Sequence, residues 1–192
     1  MKIAIDIDGV ILDSERSLKF YADYWSYFNL KKDRIREDDV TQENCFDWTN
    51  EEIDYFYNTY FDTITDNSNL MVGAKEILTK LHQEGHELYI VTLRGYYREQ
   101  ERIGAENKLK QLGDIFKQIY WNTKDKISVC KQLGIQVMID DNPDNVEQFA
   151  DNNIQVLYFK EQPIRDVKLD NVTKVDSWMD IYREIENLSS HN

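Results

Sequence analysis

The stretch MKIAIDIDGVILDS (residues 1–14) starts with an apolar run that carries two aspartates, Asp6 and Asp8, and stops at Gly9. Short isoleucine-rich runs that stop at a glycine are typical of buried strands, so we predict a strand over residues 2–7. Because residues i and i+2 of a strand face the same way, both carboxylates should enter one space and repel each other. Two interpretations fit this stretch about equally: an ordinary acidic turn, or the site of a reaction.

The composition of the chain indicates a soluble globular protein. Its 192 residues, 41% apolar and 31% charged, suffice for one domain with an insertion or for two small domains. No apolar run approaches the length of a membrane span, and Asp6 interrupts the segment where a signal peptide would be apolar. The only two cysteines, Cys45 and Cys130, lack metal-site spacing and are interpreted as reduced thiols, so we expect a cytoplasmic protein.

The acidic charge narrows the class of partner. The 36 acidic and 23 basic residues give a net charge of −13, which disfavours binding to nucleic acid polymers and to anionic membranes. We therefore expect a small-molecule partner. If that molecule is anionic, local positive groups or a metal ion must overcome the field of the chain. The sequence leaves open whether the protein is a monomer or a homodimer.

Strand-like and helix-like segments alternate along the rest of the chain. Further strands are predicted at residues 87–92, 118–121, 136–140 and 154–159. Helices are predicted at residues 74–85, around 97–112, and at 123–134 and 176–188. Strands joined by helices of this length favour a parallel sheet covered on both faces, so we expect an α/β fold with a Rossmann-like, doubly wound sheet. The dinucleotide-binding pattern G-x-G-x-x-G is absent from the sequence.

Residues 15–71 have a different pattern and predict a helical insertion. Apolar residues recur at helical spacing from Leu18 to Phe28. Thr49 and Glu52 have the spacing of a capping box, and a second helical face of aromatic residues follows from Ile53 to Phe61. We therefore expect a catalytic core made of residues 1–14 and 72–192, with a helical cap domain over residues 15–71.

A second acidic pair changes the balance between the two interpretations of Asp6 and Asp8. Asp140 and Asp141 end another apolar strand and are followed by Pro143, which forces a turn. Because parallel strands present their carboxyl ends at one edge of a sheet, the two pairs should share one crevice. Oxygen-only ligands of this kind suit Mg²⁺ better than zinc.

A threonine and two lysines are further candidates for the site near that edge of the sheet. Thr92 ends a predicted strand, where its hydroxyl and nearby backbone amides can hold a phosphate oxygen, although threonine also suits a strand without any function. Lys124 and Lys126 lie near the start of a helix, where the dipole already favours an anion. Most lysines in such places are simply solvated.

The order strand–DxDGV, strand–Thr, Lys and strand–DD resembles the haloacid dehalogenase-like superfamily. DIDGVILDS is similar to its first motif, VT to its second, Lys126 to its third and IDDNPD to its fourth. The resemblance covers about 125 residues of core, and the insertion corresponds to the cap of that superfamily. Within it, the sequence is most similar to the 5′(3′)-deoxyribonucleotidase type of 5′-nucleotidase and its bacterial relatives.

This resemblance implies a role for each motif residue. Asp6 would be the nucleophile, and Asp8 would protonate the leaving oxygen and then activate water. Mg²⁺ would bind the Asp6 carboxylate, the Asp8 carbonyl and Asp141, with Asp140 in support. The phosphate-binding residues implied are Thr92, Leu93 and Lys126, with Lys124 as the alternative lysine.

The implied function is a Mg²⁺-dependent phosphomonoesterase that acts on a nucleoside monophosphate. Two positions depart from the deoxyribonucleotidases: Leu93 replaces a hydroxyl residue, and Ser14 stands where a base-stacking aromatic is expected. Phe46 and Trp48 of the insertion can stack a base, or can belong to the core of the cap itself. A phosphatase of small sugar phosphates is the alternative, and a phospho-ligand binding protein without turnover is the less favoured one.

Overall fold

One parallel sheet organises the computed structural model, which describes residues 1–160 and 165–190. Within these residues the sheet has six strands in the order β3-β2-β1-β4-β5-β6. The strands are β1 (Lys2–Ile5), β2 (Glu87–Val91), β3 (Phe116–Tyr120), β4 (Val137–Asp140), β5 (Gln155–Phe159) and β6 (Val172–Val175). The α-helices are α1 (Ser14–Trp25), α2 (Asn50–Asn67), α3 (Ala74–Gln83), α4 (Glu99–Leu109), α5 (Lys126–Leu133), α6 (Pro143–Asp151) and α7 (Trp178–Ser190).

The central strand β1 shows why the sheet is buried on both faces. Ile3 and Ile5 belong to one apolar cluster, which includes residues of α3, α4 and α7. Ala4, between them, belongs to a second cluster with residues of α5 and α6. Since successive side chains of a strand point to opposite faces, this alternation requires helices on both sides. The predicted doubly wound α/β fold is confirmed.

The strand register brings the acidic segments together. Ala4 of β1 pairs with Tyr89 of β2 on one side and with Met138 of β4 on the other. The chain reverses its direction of travel across the sheet between β1 and β4, and in such sheets ligands bind beyond the carboxyl ends at that point. Asp6 continues this pairing, because its N–H donates to the carbonyl of Ile139 at 3.0 Å.

The edge strand β6 was not predicted from the sequence. It is a short strand whose first three residues are only partly buried or exposed, so it lacks the long apolar pattern of a core strand. It forms because it pairs with β5, from Val156 opposite Val172 to Phe159 opposite Val175. None of the helices in the described part of the chain is long and apolar enough to cross a membrane.

The helical insertion has an apolar cluster of its own. Trp25, Phe46 and Phe56 are buried there, and Trp48 packs against them. The prediction that Phe28 lies on the same face is wrong, since its side chain is 59% exposed. The reason is local: α1 ends at Trp25 and continues as a wider π-helical turn, which changes the spacing of the residues that follow. The separate cluster supports, as a proposal, the division into a core and a cap at residues 15–71.

The capping box predicted at the start of α2 is present. Thr49 Oγ1 accepts from the N–H of Glu52 at 3.3 Å, and the N–H of Thr49 donates to Glu52 Oε2 at 2.6 Å. These two bonds satisfy backbone donors that no helical carbonyl reaches.

We expect Thr49→Ala to lower the free energy of unfolding by about 1 kcal/mol, because the N-cap acceptor is lost. Urea denaturation followed by circular dichroism measures this change. Thr49→Ser, which keeps the hydroxyl, is the matched control and should remain close to the wild type. Equal losses in both variants would mean that the threonine methyl group, and not the cap, stabilises this end of the helix.

Candidate active site

A cavity of about 470 Å³ lies where the carboxyl ends of the central strands meet the helical insertion. Its floor contains acidic residues that follow β1 and β4, together with Lys126 from the start of α5. Its walls come from the loops after β2 and β5 and from α1 and α2. The topology therefore collects the separate sequence motifs in one space.

Three buried carboxylates form an acidic cluster at and below this floor: Asp6, Asp140 and Asp141. One oxygen of each lies within 4.8 Å of an oxygen of the other two. Burial raises the pKa of Asp6 to about 6, although Lys126 acts in the opposite direction. Burial, followed by the nearby charge of Glu15, raises the pKa of Asp141 well above its ordinary value. The cluster is thus a site where negative charge is costly unless a cation joins it.

An unpartnered atom supports a cation at this cluster. Asp6 Oδ1 is buried and accepts no hydrogen bond of acceptable geometry from the described residues, although Lys126 Nζ lies 3.1 Å away. Buried carboxylate oxygens are normally satisfied, so an orphaned one points to a missing partner. The oxygen-only donor set fits a hard divalent cation such as Mg²⁺.

Gly9 allows the acidic cluster to come this close to the first motif. Its φ is +65°, a backbone conformation that residues other than glycine rarely adopt. A Cβ atom built on Gly9 would overlap the carboxylate of Asp141. The glycine of DxDGV is therefore needed both for the turn and for the space that Asp141 occupies.

Lys126, and not Lys124, lies against the acidic cluster. Its Nζ is 3.1 Å from Asp6 Oδ1 and 3.0 Å from Asp140 Oδ2. Burial alone would lower the pKa of Lys126, but the two carboxylates outweigh it and raise the pKa. Lys124 is exposed, and its Nζ lies 5.7 Å from the centre of the Tyr96 ring.

The side chain of Asp140 is occupied by protein donors. Besides Lys126, it accepts from the N–H of Asn142 at 3.0 Å and from Asn145 Nδ2 at 3.1 Å. It is fully buried, whereas Asp141 lines the cavity. Asp140 therefore orients Lys126 and the turn after β4, and Asp141 is the carboxylate that faces the cavity.

Asp8 lies in a cationic setting of its own. Arg94 donates from Nε to Asp8 Oδ2 at 2.7 Å and from Nη2 to Oδ1 at 2.6 Å. Ser14 Oγ donates to Oδ1 at 2.6 Å. Burial alone would raise the pKa of Asp8, but Arg94 outweighs it and the pKa is lowered. Asp8 is therefore held ionised at the cavity wall, with both of its oxygens bonded.

Thr92 supports the loop after β2 more than it opens to the cavity. It is 1% exposed, its N–H donates to the carbonyl of Tyr120 at 3.0 Å, and its Oγ1 accepts from the N–H of Arg94 at 3.3 Å. The amide of Thr92 itself is therefore occupied by this bond, and the predicted role of its hydroxyl and of the nearby amides stays a prediction. Its hydroxyl proton can still be donated. Leu93, the next residue, lines the cavity.

Aromatic residues form the upper wall of the cavity, but not the ones singled out in the sequence. Tyr57 and Phe61 of α2 and Tyr97 of the loop after β2 line it. Phe46 and Trp48 stack on each other, 4.8 Å apart with ring planes 9° apart, inside the cap cluster. Their position favours the interpretation of these two residues as part of the cap core.

Two cations of this site, Arg94 and Lys160, are not predicted from the sequence. Both follow a strand at the same edge as the motif residues, which is the one signal that could have identified them. Their partners, Asp8 and Glu15, are distant in sequence, so the ion pairs themselves leave no local pattern.

Comparison with solved structures identifies the fold class. The chain is similar to a haloacid dehalogenase-like family hydrolase from Streptococcus pneumoniae, with 15% identity, 96% of this chain and 97% of that chain covered, and a TM-score of 0.67. It is similar to a "predicted phosphoglycolate phosphatase" from Haemophilus somnus, with 17% identity, coverage of 95% and 96%, and a TM-score of 0.66. A third, CbbY from Rhodobacter sphaeroides in complex with xylulose-1,5-bisphosphate, is 11% identical, with coverage of 92% and 94% and a TM-score of 0.63.

The fold is that of the haloacid dehalogenase-like hydrolases in these comparisons, and the resemblance predicted from the four motifs is confirmed. The chain belongs to the family described as 5′ nucleotidase, deoxy (pyrimidine), cytosolic type C protein, whose model matches residues 1–190. It is a phosphoric monoester hydrolase. No curated protein matches the chain.

The raised pKa of Asp6 predicts how the metal-free protein responds to pH. Its pKa is about 6 in the folded protein against an ordinary value of 3.8. The folded state therefore binds this proton more tightly than the unfolded state. The contribution of this group to the free energy of unfolding is highest below pH 3.8, decreases as the pH rises from 3.8 to about 6, and stays low above that pH. In EDTA at pH 8, we expect Asp6→Asn to raise the free energy of unfolding by roughly 1–3 kcal/mol.

Urea denaturation at several pH values measures this difference, which should shrink as the pH is lowered through 6. Asp114→Asn, which changes an exposed carboxylate before β3, is the control and should show no such dependence. Equal stability of Asp6→Asn and the wild type at pH 8 would contradict the burial argument.

Proposed function

We propose that the protein hydrolyses a nucleoside monophosphate, with Mg²⁺ and through an aspartyl-phosphate on Asp6. The observation that carries this proposal is the cluster of buried carboxylates Asp6, Asp140 and Asp141, in which Oδ1 of Asp6 has an ion pair with Lys126 but no hydrogen bond of acceptable geometry. Asp6 and Asp141 would hold the cation with their carboxylates and Asp8 with its backbone carbonyl, and Asp140 would support them. When bound, Mg²⁺ would offset negative charge on the phosphoryl group.

In the first step, an oxygen of Asp6 attacks phosphorus while the bond from phosphorus to the leaving oxygen breaks. Lys126 lies against that carboxylate, so its charge is in place for the phosphoryl oxygens. The hydroxyl of Thr92 and the loop at Leu93 complete the phosphate-binding set. A monoester phosphate has a second pKa of about 6 and so can bring one proton. Asp8 passes this proton to the leaving oxygen.

In the second step, water attacks the aspartyl-phosphate and inorganic phosphate leaves. Asp8 accepts the proton of this water, a role that suits an ionised carboxylate. Arg94 and Ser14 hold Asp8 in position by three short hydrogen bonds. The proton then passes from Asp8 to the departing phosphate, so Asp6 and Asp8 both return to the ionised form in which they began.

The cavity wall supports a nucleoside as the leaving group. Tyr57, Phe61 and Tyr97 present aromatic rings to a space of about 470 Å³, and bases stack on such rings. The family to which the chain belongs carries the same substrate class in its description. A small sugar phosphate is the second candidate, because polar residues that can bind hydroxyl groups, Thr41 and Gln148, also line the cavity.

Hydrolysis of p-nitrophenyl phosphate tests the reaction class. We expect turnover with Mg²⁺, loss of turnover in EDTA, and a fall of at least about 10³-fold in kcat for Asp6→Asn, since the nucleophile is removed. Circular dichroism should show that the variant is folded, and Asp114→Asn should keep the wild-type rate. A wild-type protein that binds Mg²⁺ but turns over no phosphate ester at any pH would favour a binding protein.

Phe61→Ala tests the substrate. We expect the ratio of kcat/KM for a nucleoside monophosphate to that for a small sugar phosphate to fall about 10-fold, because ring stacking is lost for the nucleotide alone. Using the ratio removes any shared effect through Arg94, whose guanidinium lies 5.7 Å from the Phe61 ring. Tyr55→Ala, on the same helix but 58% exposed, is the control. A wild-type preference for the sugar phosphate, with no change in Phe61→Ala, would favour the second candidate.

A further inference from the structure

Lys160 is a second lysine at the edge of the acidic cluster, and it is largely but not fully buried. It follows β5, its side chain is only 10% exposed, and it lines the same cavity as Asp141. Its Nζ lies 2.7 Å and 2.9 Å from the two carboxylate oxygens of Glu15, to which it donates. It also lies 3.8 Å from Asp141 Oδ2. No step of the proposed reaction uses this ammonium.

Two carboxylates lie near this ammonium, one inside the acidic cluster and one outside it. Asp141 belongs to the buried acidic cluster that fits a divalent cation. Glu15 lies in the first turn of α1, outside that cluster, and its side chain is 49% exposed. The ammonium is thus held firmly by the outer carboxylate and more loosely by the inner one. In this position it offsets the charge of Asp141 without occupying the place between the three clustered carboxylates.

A cation bound by Asp141 and the ammonium of Lys160 repel each other, because both are positive and the site is buried. Lys160 therefore opposes metal binding. Glu15 has the reverse effect, since it draws the ammonium away from Asp141 and adds a negative charge of its own nearby. The two residues should act on metal affinity in opposite directions, and the effect of Glu15 should depend on the presence of Lys160.

We propose that Lys160 and Glu15 are positioning residues that set the affinity of the acidic cluster for Mg²⁺: Lys160 neutralises Asp141 in the metal-free protein, and Glu15 retains the ammonium when the cation binds. This inference rests on the Mg²⁺ site of the proposed function. Because Glu15 belongs to the helical insertion and Lys160 to the sheet, the pair also links metal affinity to the contact between these two parts of the chain.

Isothermal titration of the full chain with MgCl₂ tests the inference without measuring turnover. We expect Lys160→Met to bind Mg²⁺ about 10-fold more tightly than the wild type, because a competing charge is removed. We expect Glu15→Gln to bind about threefold more weakly, because the ammonium is released towards Asp141. The double variant tests whether the two residues act together. In the Lys160→Met background, Glu15→Gln should change the logarithm of the Kd for Mg²⁺ by less than about half of the change that it causes in the wild-type background.

Lys19→Met is the matched control, because it removes the same charge from an exposed position one helical turn after Glu15. It should change Mg²⁺ affinity by less than about twofold. Thermal unfolding adds a second readout: Lys160→Met should have a lower Tm than the wild type in EDTA, and the difference should shrink at saturating Mg²⁺. If Lys160→Met fails to fold, Lys160→Gln takes its place in all measurements.

The outcomes separate this inference from the proposed function. A wild-type protein that binds no Mg²⁺ overturns the proposed metal site and the inference with it. Wild-type binding with Lys160→Met equal to it, or weaker, overturns the inference alone. Independent effects of the two substitutions would show that Glu15 acts by its own charge and would likewise overturn the role assigned to the pair.

Discussion

The repulsion between buried carboxylates is the constraint on which the active site depends. Asp6, Asp140 and Asp141 offer oxygens within 4.8 Å of one another in a buried place, and Asp8 lies two residues from Asp6. In a chain of net charge −13, such a group is stable only if cations are brought to it. Lys126 meets Asp6 and Asp140, Arg94 meets Asp8, and Lys160 lies near Asp141. The remaining negative charge fits a divalent cation.

The parallel sheet makes this concentration of charge possible. Its strands end at one edge, so residues separated by more than a hundred positions, such as Asp8 and Asp141, reach the same cavity. The backbone is buried and rigid because β1 is paired on both sides and covered by helices on both faces. Gly9 has no Cβ atom, and a Cβ atom at this position would collide with Asp141. Chemistry that needs close, oriented charges is thereby placed next to a strand that is paired on both sides and packed on both faces.

The substrate side of the site depends on other contacts. The helical insertion has its own aromatic cluster and turns Tyr57 and Phe61 of α2 towards the cavity. It contributes Glu15, which accepts a hydrogen bond from Lys160 at the catalytic edge. In the proposed function, the reaction class would therefore depend on the sheet edge, and the choice among phosphate esters would depend on the wall above it.

The sequence by itself determined the doubly wound fold and the motif positions, because these depend on local patterns: isoleucine-rich runs, helical spacing, DxDGV and the pair Asp140–Asp141. The sequence does not predict β6, because this strand forms by pairing with β5 and not through a pattern of its own residues. The prediction for Phe28 is wrong because a π-helical turn has no clear signature in sequence. The tertiary structure alone decided that Lys126, and not Lys124, contacts Asp6. It also decided that Phe61, and not Phe46, lines the cavity. Finally, it decided that Arg94 pairs with Asp8 and that Lys160 pairs with Glu15. Each of these joins residues far apart in the chain, and such contacts arise only when the sheet and its insertion bring their side chains together.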